Sequence, residues 1–281
     1  MVTNRYNLPQ ALVNLTKDKE YIENRYSVTE LLLPTREIIL NRLYADEIEK
    51  DVSDVIPALF GTAVHNVLEA NTPLLKGLLT EQSLECQFGE VTVSGRIDLL
   101  DMNNLEITDY KTCSVSKVMR EDFEDFKLQG LAYAYMVWKR LGLIIKRLKF
   151  PCLLKDWSKI KSASSSNYPS SAIYIWKYDV QESDVDFIER YIKNKLKDIH
   201  DAEISLPMCT DEERWYTGTK YAVYKHAGDK KAAIVCDSEE EAHGYITNKC
   251  DGAGEIEVRK GEYLKCNHYC DCCKFCEEGG K

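Results

Sequence analysis

Three short apolar runs, at 84–88, 91–100 and 105–111, lie between two helical stretches, and the last two carry acidic residues inside them. The pairs Gly89-Glu90 and Asn103-Asn104 are turn formers, so the runs predict three consecutive strands. Asp98 falls near the end of the second strand, and Asp109 and Lys111 share the third. Residues two apart on a strand point to one face, so Asp109 and Lys111 face the same way. The turn at 103–104 folds one strand back on the other and brings Asp98 toward Asp109. Burying two carboxylates side by side, unpaired, is strongly unfavourable. A divalent cation resolves that conflict, with a backbone carbonyl at Tyr110 as a further oxygen ligand.

The flanking elements extend this pattern. Residues 26–44 read as helical, interrupted at Pro34, and 57–70 as a helix entered through Pro57 and carrying His65. A helix over 120–141 places Gln129 and Tyr133 four apart, on one face. A strand lies within 143–154, a polar loop at 161–171, a strand at 172–180 and an amphipathic helix at 182–201. Helices alternating with strands make this an α/β chain. An imidazole from His65 added to two carboxylates suits Mn²⁺ or Mg²⁺ and tilts the preference toward Mn²⁺. Lys111 beside them can act on an attacking water or neutralise charge growing on a phosphate. That set of parts suits phosphodiester hydrolysis.

After Pro207 the chain changes character, and we place a boundary so that 1–204 and 205–281 form separate domains. The second is poor in large aliphatics, and two short strands and a helix capped at Ser238 are expected in it. So small a module usually needs a staple or a metal. Five of the 11 cysteines fall within 266–276. No apolar run approaches the roughly 20 residues of a membrane span, and the first 21 residues have no apolar core of signal type. These features predict a cytoplasmic protein with reduced thiols or metal-bound thiolates rather than disulfides. Net charge is −9, yet residues 111–161 hold 12 Lys and Arg against 5 Asp and Glu. Read alone, that local excess is a solvated helix face.

Taken in order, GTAVHNVLEA, GRIDLL, ITDYKT and QGLAYAY resemble the RecB-like branch of the PD-(D/E)XK nucleases over residues 26–155. The resemblance implies a restriction-endonuclease-like core, a central mixed β-sheet flanked by helices, followed here by a small C-terminal cysteine-rich module. It further implies metal-dependent DNA cleavage, of exonuclease type, in recombination, replication or repair. By position, His65, Asp98 and Asp109 would bind metal, Lys111 would be catalytic, and Gln129 and Tyr133 would position the nucleic acid. Ile97 stands where the nominal motif has proline, as is common in this branch. Glu85, ahead of the strand pair, is a candidate additional member of the site. Asp101 and Glu106 read as turn and surface charges, and Tyr135 and Trp138 as core.

Three further matches, KDWSKI around Trp157, CTDEERW at 209–215 and CNHYCDCCKFC at the end, look like a phage-type subgroup. Its tail pattern is matched by Cys266, Cys270 and Cys276, with Cys209 as the fourth thiolate. Four thiolates imply structural Zn²⁺, with a [4Fe–4S] cluster as the alternative. The resemblance implies DNA as the partner, together with a recombination or replication protein such as a helicase or annealing protein, and no membrane. Beside it stand two other readings. One is a non-catalytic nucleic-acid-binding or assembly module, against which His65, Asp98, Asp109 and Lys111 are all retained. The other is an RNA-directed nuclease.

Overall fold

The computed structural model describes residues 2–16, 20–73, 75–202, 204–226, 228–250 and 252–278. The chain forms two compact units, Met1–Leu206 and Pro207–Lys281.

A seven-stranded mixed sheet organises the first unit. Its elements in chain order are β1 (Arg25–Ser27), α1 (Val28–Leu31), α2 (Thr35–Leu43), α3 (Ile56–Asn71), β2 (Leu78–Phe88), β3 (Val91–Asp101), β4 (Glu106–Thr108) and β5 (Lys111–Cys113). They are followed by α4 (Glu124–Leu141), β6 (Arg147–Leu154), β7 (Ile173–Asp179) and α5 (Glu182–Asp201). This is the restriction-endonuclease-like arrangement expected from the sequence, a mixed sheet flanked by helices.

β2 and β3 form a long antiparallel hairpin, from Phe88 opposite Val91 to Leu78 opposite Asp101. The other edge of β3 is shared. β1 runs parallel to it at Thr92–Ser94, and β4 runs antiparallel at Leu99–Asp101. On this edge, among the described ladders, nothing pairs with the stretch Gly95–Asp98 between them. β4 and β5 both run parallel along one edge of β6, and β7 lies antiparallel on its other edge.

Alternation fixes the faces. Leu148, Phe150, Cys152 and Leu154 of β6 are buried, with less buried residues between them. α4 lies over this apolar face. A Cβ on Gly130 would sit 2.7 Å from Leu148 Cδ1 and 2.9 Å from Phe150 Cζ, so only glycine lets the helix approach so closely. Ten residues of α4 are buried, as befits a helix between the sheet and α5, which contributes Ile188, Ile192 and Ile199 to the same core. α4 has Glu124 and Asp125 in its first turn and Lys139 and Arg140 in its last, and it ends at a left-handed Gly142.

Several elements differ from expectation. Tyr26 belongs to a strand rather than a helix, with Ser27 capping the short helix that follows. β2 starts six residues before the expected 84, because the polar stretch Thr80–Ser83 interrupts its apolar run. The third predicted strand is two strands, broken at Asp109-Tyr110. Part of the predicted polar loop is a short helix, Lys159–Ser164, capped by Ser158. In the second unit β8 (Lys220–Tyr224) pairs with β9 (Ile234–Cys236) and with a further strand, β10 (Glu255–Arg259). Its helix α6 (Glu239–Lys249) is capped by Ser238 as expected, and Val223, Cys236, Ala242 and Ile246 form a small core.

Candidate active site

The break between β4 and β5 lies beside the unpaired stretch of β3. Asp109 N–H still donates to the Lys149 carbonyl at 3.0 Å, as a strand residue would. At Tyr110 the backbone turns away, and its N–H donates to Asp98 Oδ2 at 2.7 Å. A side chain has replaced a ladder partner, which opens the sheet without orphaning a buried donor. A cavity of about 410 Å³ occupies this opening, lined among others by His65, Asp98, Asp109, Lys111, Gln129 and Tyr133.

Two linked groups of side chains meet there. The first is built on His65 from α3. Its Nε2 lies 2.8 Å from the Tyr110 carbonyl, and its Nδ1 lies 3.2 Å from Asp98 Oδ1. A carbonyl only accepts, so Nε2 carries a proton; Nδ1 also faces an acceptor. The hydrogen bond to Asp98 accordingly raises the imidazole pKa above its ordinary value. A cation placed between Nδ1 and Oδ1 would take the place of that second proton.

The second group runs through Gln129 of α4. Its Oε1 accepts from Lys111 Nζ at 2.7 Å, and its Nε2 donates to Tyr133 Oη at 2.9 Å and to Asp109 Oδ1 at 3.2 Å. These three contacts fix which way the amide points. Lys111 Nζ also lies 2.5 Å from Asp109 Oδ2. Asp109 is only 2% exposed, and burial raises its carboxyl pKa while the Lys111 ammonium opposes that rise. Burial also raises the Tyr133 phenol well above its usual value. The ring of Tyr133 packs on the backbone of Gly95, where an added Cβ would meet its Cε1 at 2.7 Å.

One further candidate residue escaped the sequence reading. Thr80 faces Leu99 and Gln82 faces Ile97, so Glu81 stands opposite Asp98. Ligand atoms of His65, Glu81 and Asp98 all lie within 4.8 Å of one another. Glu81 has φ +49° in the middle of a strand, a conformation that costs a non-glycine residue about 1–3 kcal/mol and concentrates at functional positions. Glu85, the acidic residue considered from sequence, pairs instead with Arg25 at 2.5 Å.

The donor set fits a divalent cation. Ligands on opposite sides of an ion at about 2.0–2.4 Å are roughly 4–5 Å apart, and one imidazole with two carboxylates is a hard, mixed N/O set. Asp109 and the Tyr110 carbonyl are outside this group: the first faces Lys111 and Gln129, the second faces His65. In the second unit, burial pushes the Cys209 thiol up to about 11, with Glu213, Cys276, Cys266 and Cys270 near enough to add to the shift. Cys270 and Cys272 Sγ lie 3.5 Å apart. No cysteine belongs to the donor group around His65.

No curated protein sequence matches the chain. Among solved structures it is similar to SSO0001, at 16% identity and a TM-score of 0.47, over 67% of this chain and 82% of that one. It is also similar to a phage-related exonuclease from Haemophilus somnus 129PT, at 12% identity and a TM-score of 0.31, over 60% and 73% of the two chains. An alkaline exonuclease from Laribacter hongkongensis gives 10% identity and a TM-score of 0.35, over 64% and 90%. The profile of the PD-(D/E)XK nuclease superfamily matches residues 73–277, about three quarters of the chain and all of β2 to α5. The chain belongs to the PD-(D/E)XK nuclease superfamily.

Proposed function

We propose that this deoxyribonuclease is a metal-dependent exonuclease acting in recombination, replication or repair, of phage type. The observation that carries the reading is the meeting, in one cavity, of His65 and Asp98, which form a donor group with Glu81, and a lysine held by Asp109 and Gln129. A divalent cation, Mg²⁺ or Mn²⁺, would supply Lewis acidity at the scissile phosphate. His65, Asp98 and Glu81 would hold it, and Asp109 and the Tyr110 carbonyl would join if their present partners yield.

Lys111 is placed to hold a proton at Nζ toward the reacting phosphate or the attacking water. Asp109 pairs with that ammonium and Gln129 aims it. The Gln129 amide is fixed in turn by Tyr133, which rests on Gly95, so a chain of contacts ties the lysine to the sheet. The basic excess of 111–161 flanks Lys111 and would hold the phosphate backbone, and the ring of Tyr110 would stack on an unpaired base. In the second unit, Cys209, Cys266, Cys270 and Cys276 would hold structural Zn²⁺ or, as the alternative, a [4Fe–4S] cluster. A helicase or annealing protein would act with the enzyme in the cytoplasm. Among the described residues no helix is long and apolar enough to cross a membrane.

Cleavage of linear and circular, single- and double-stranded DNA in Mg²⁺ and in Mn²⁺, with matched RNA, tests this. Activity confined to DNA with free ends, abolished by chelator and by Lys111→Ala or Asp98→Ala, is expected. Wild type that cuts no substrate would overturn the enzyme reading. Cutting of circles would overturn the exonuclease part.

A further inference from the structure

Glu81 has two claims on it. Its carboxylate stands in the donor group with His65 and Asp98, and its Oε2 lies 2.7 Å from Arg96 Nε. Arg96 sits two residues before Asp98 on β3, on the same face. Its side chain is 68% exposed, whereas that of Glu81 is 19% exposed, so the arginine is held by a half-buried acid at one end of an otherwise solvated reach. Arg96 is a lining residue of the cavity that also contains Lys111. A carboxylate oxygen that ligates a divalent cation loses most of its attraction for a guanidinium, because the cation neutralises it and repels the arginine.

We propose that Arg96 and the catalytic cation compete for Glu81, and that metal binding hands Arg96 to a DNA phosphate. Arg96 is thus a positioning residue whose availability depends on the metal. The guanidinium is suited to its second partner, because its planar fork matches phosphate oxygens as well as it matches carboxylate. Before metal binds, Glu81 occupies it. Once metal binds, Glu81 turns to the ion, and a phosphate-binding group appears within the same cavity as Lys111. DNA bound through Arg96 in turn removes the competitor from Glu81. By linkage, metal then raises DNA affinity by the same factor as DNA raises metal affinity. The inference rests on the metal-dependent nuclease reading and adds an order to it: metal first, DNA backbone second.

A double-mutant cycle on the full chain tests the exchange, with Mn²⁺ affinity read by calorimetry in the absence of DNA. Arg96→Ala should tighten Mn²⁺ binding about two- to fivefold, the range of an exposed ion pair. In the Glu81→Gln background, where the carboxylate is gone, the same substitution should leave Mn²⁺ affinity unchanged. An equal gain in both backgrounds would show a through-space charge effect only, and overturns the proposal. A second readout uses a short fluorescein-labelled duplex and the Lys111→Ala protein, which cannot cut it. Mn²⁺ should tighten duplex binding, and Arg96→Ala should shrink that gain at least about fivefold. An unchanged gain overturns the proposal. Wild-type cleavage separates the two levels: a wild type that does not cut DNA defeats the nuclease reading, whereas a cutting enzyme with an additive cycle defeats only the exchange.

Discussion

Replacing Lys111 with methionine removes the charge that faces a buried carboxylate. Asp109 is 2% exposed and its nearest cation is Lys111 Nζ at 2.5 Å. Breaking one side of a buried pair costs about 3–5 kcal/mol. The lower end applies here, because the lysine side chain is 18% exposed and Gln129 continues to donate to Asp109 Oδ1. A loss of about 3 kcal/mol lowers the melting temperature of a unit this size by roughly 6–12 °C. The loss must depend on pH, and its sign follows from the carboxyl. Burial raises the folded-state pKa of Asp109 above the ordinary 3.8, and without Lys111 it rises further. The folded state then binds more protons than the unfolded one over a window that opens near pH 4 and extends upward, so stability falls as pH rises through it. Metal-free melts of wild type and Lys111→Met between pH 4 and pH 8 should therefore converge at the acid end and separate toward neutrality. Adding Asp109→Asn to Lys111→Met should restore most of the loss. If the single variant melts within about 0.5 kcal/mol of wild type at pH 8, or the second substitution deepens the defect, Lys111 is not the partner that keeps Asp109 buried.

Gly95→Ala drives a methyl into the Tyr133 ring, so it should cost about 1–3 kcal/mol and slow cleavage more than it weakens DNA binding, as steady-state kinetics would show. Zinc at the cysteines predicts a colourless protein with one metal per chain by elemental analysis, lost in Cys209→Ala; a brown protein with iron would refute zinc. Asp51 has its carboxyl held well below the usual range, chiefly by the Arg5 backbone N–H and also by Ser53 and Thr3. A depressed carboxyl contributes its full stability above its unfolded value and loses it as pH falls toward the folded value, so Asp51→Asn should lower the urea midpoint at pH 7 and by a smaller amount at pH 3, where the loss has begun.

Much of the candidate site is legible because its members obey simple periodicities. Asp98, Asp109 and Lys111 were found from strand alternation, and Gln129 and Tyr133 from helical spacing, and the structure joins all five through direct hydrogen bonds or the Asp98–Tyr110 link. What escaped was set by tertiary geometry. Propensity cannot show that the Tyr110 N–H takes a side-chain partner, so one predicted strand became two. Glu81 was missed because β2 was started at its apolar part. The turn at Gly89-Glu90, extended backward residue by residue, would have placed Glu81 opposite Asp98. β10 escaped for a like reason: Glu255, Glu257 and Arg259 alternate with only two aliphatic residues, and its pairing with β8 rather than its own composition makes it a strand.

The unpaired stretch Gly95–Asp98 has a bearing on solubility. An open strand edge invites pairing with another chain, and proteins discourage this with short edges and charges set into them. Here the open edge spans four residues and carries Arg96 and Asp98, with Asp109 and Lys111 lining the same cavity. The charged groups gathered at the opening make it a poor template for a foreign strand. Substitutions that neutralise the site therefore remove a safeguard against association as well as an activity, and a loss of cleavage in such variants needs a measurement of their monomeric state beside it.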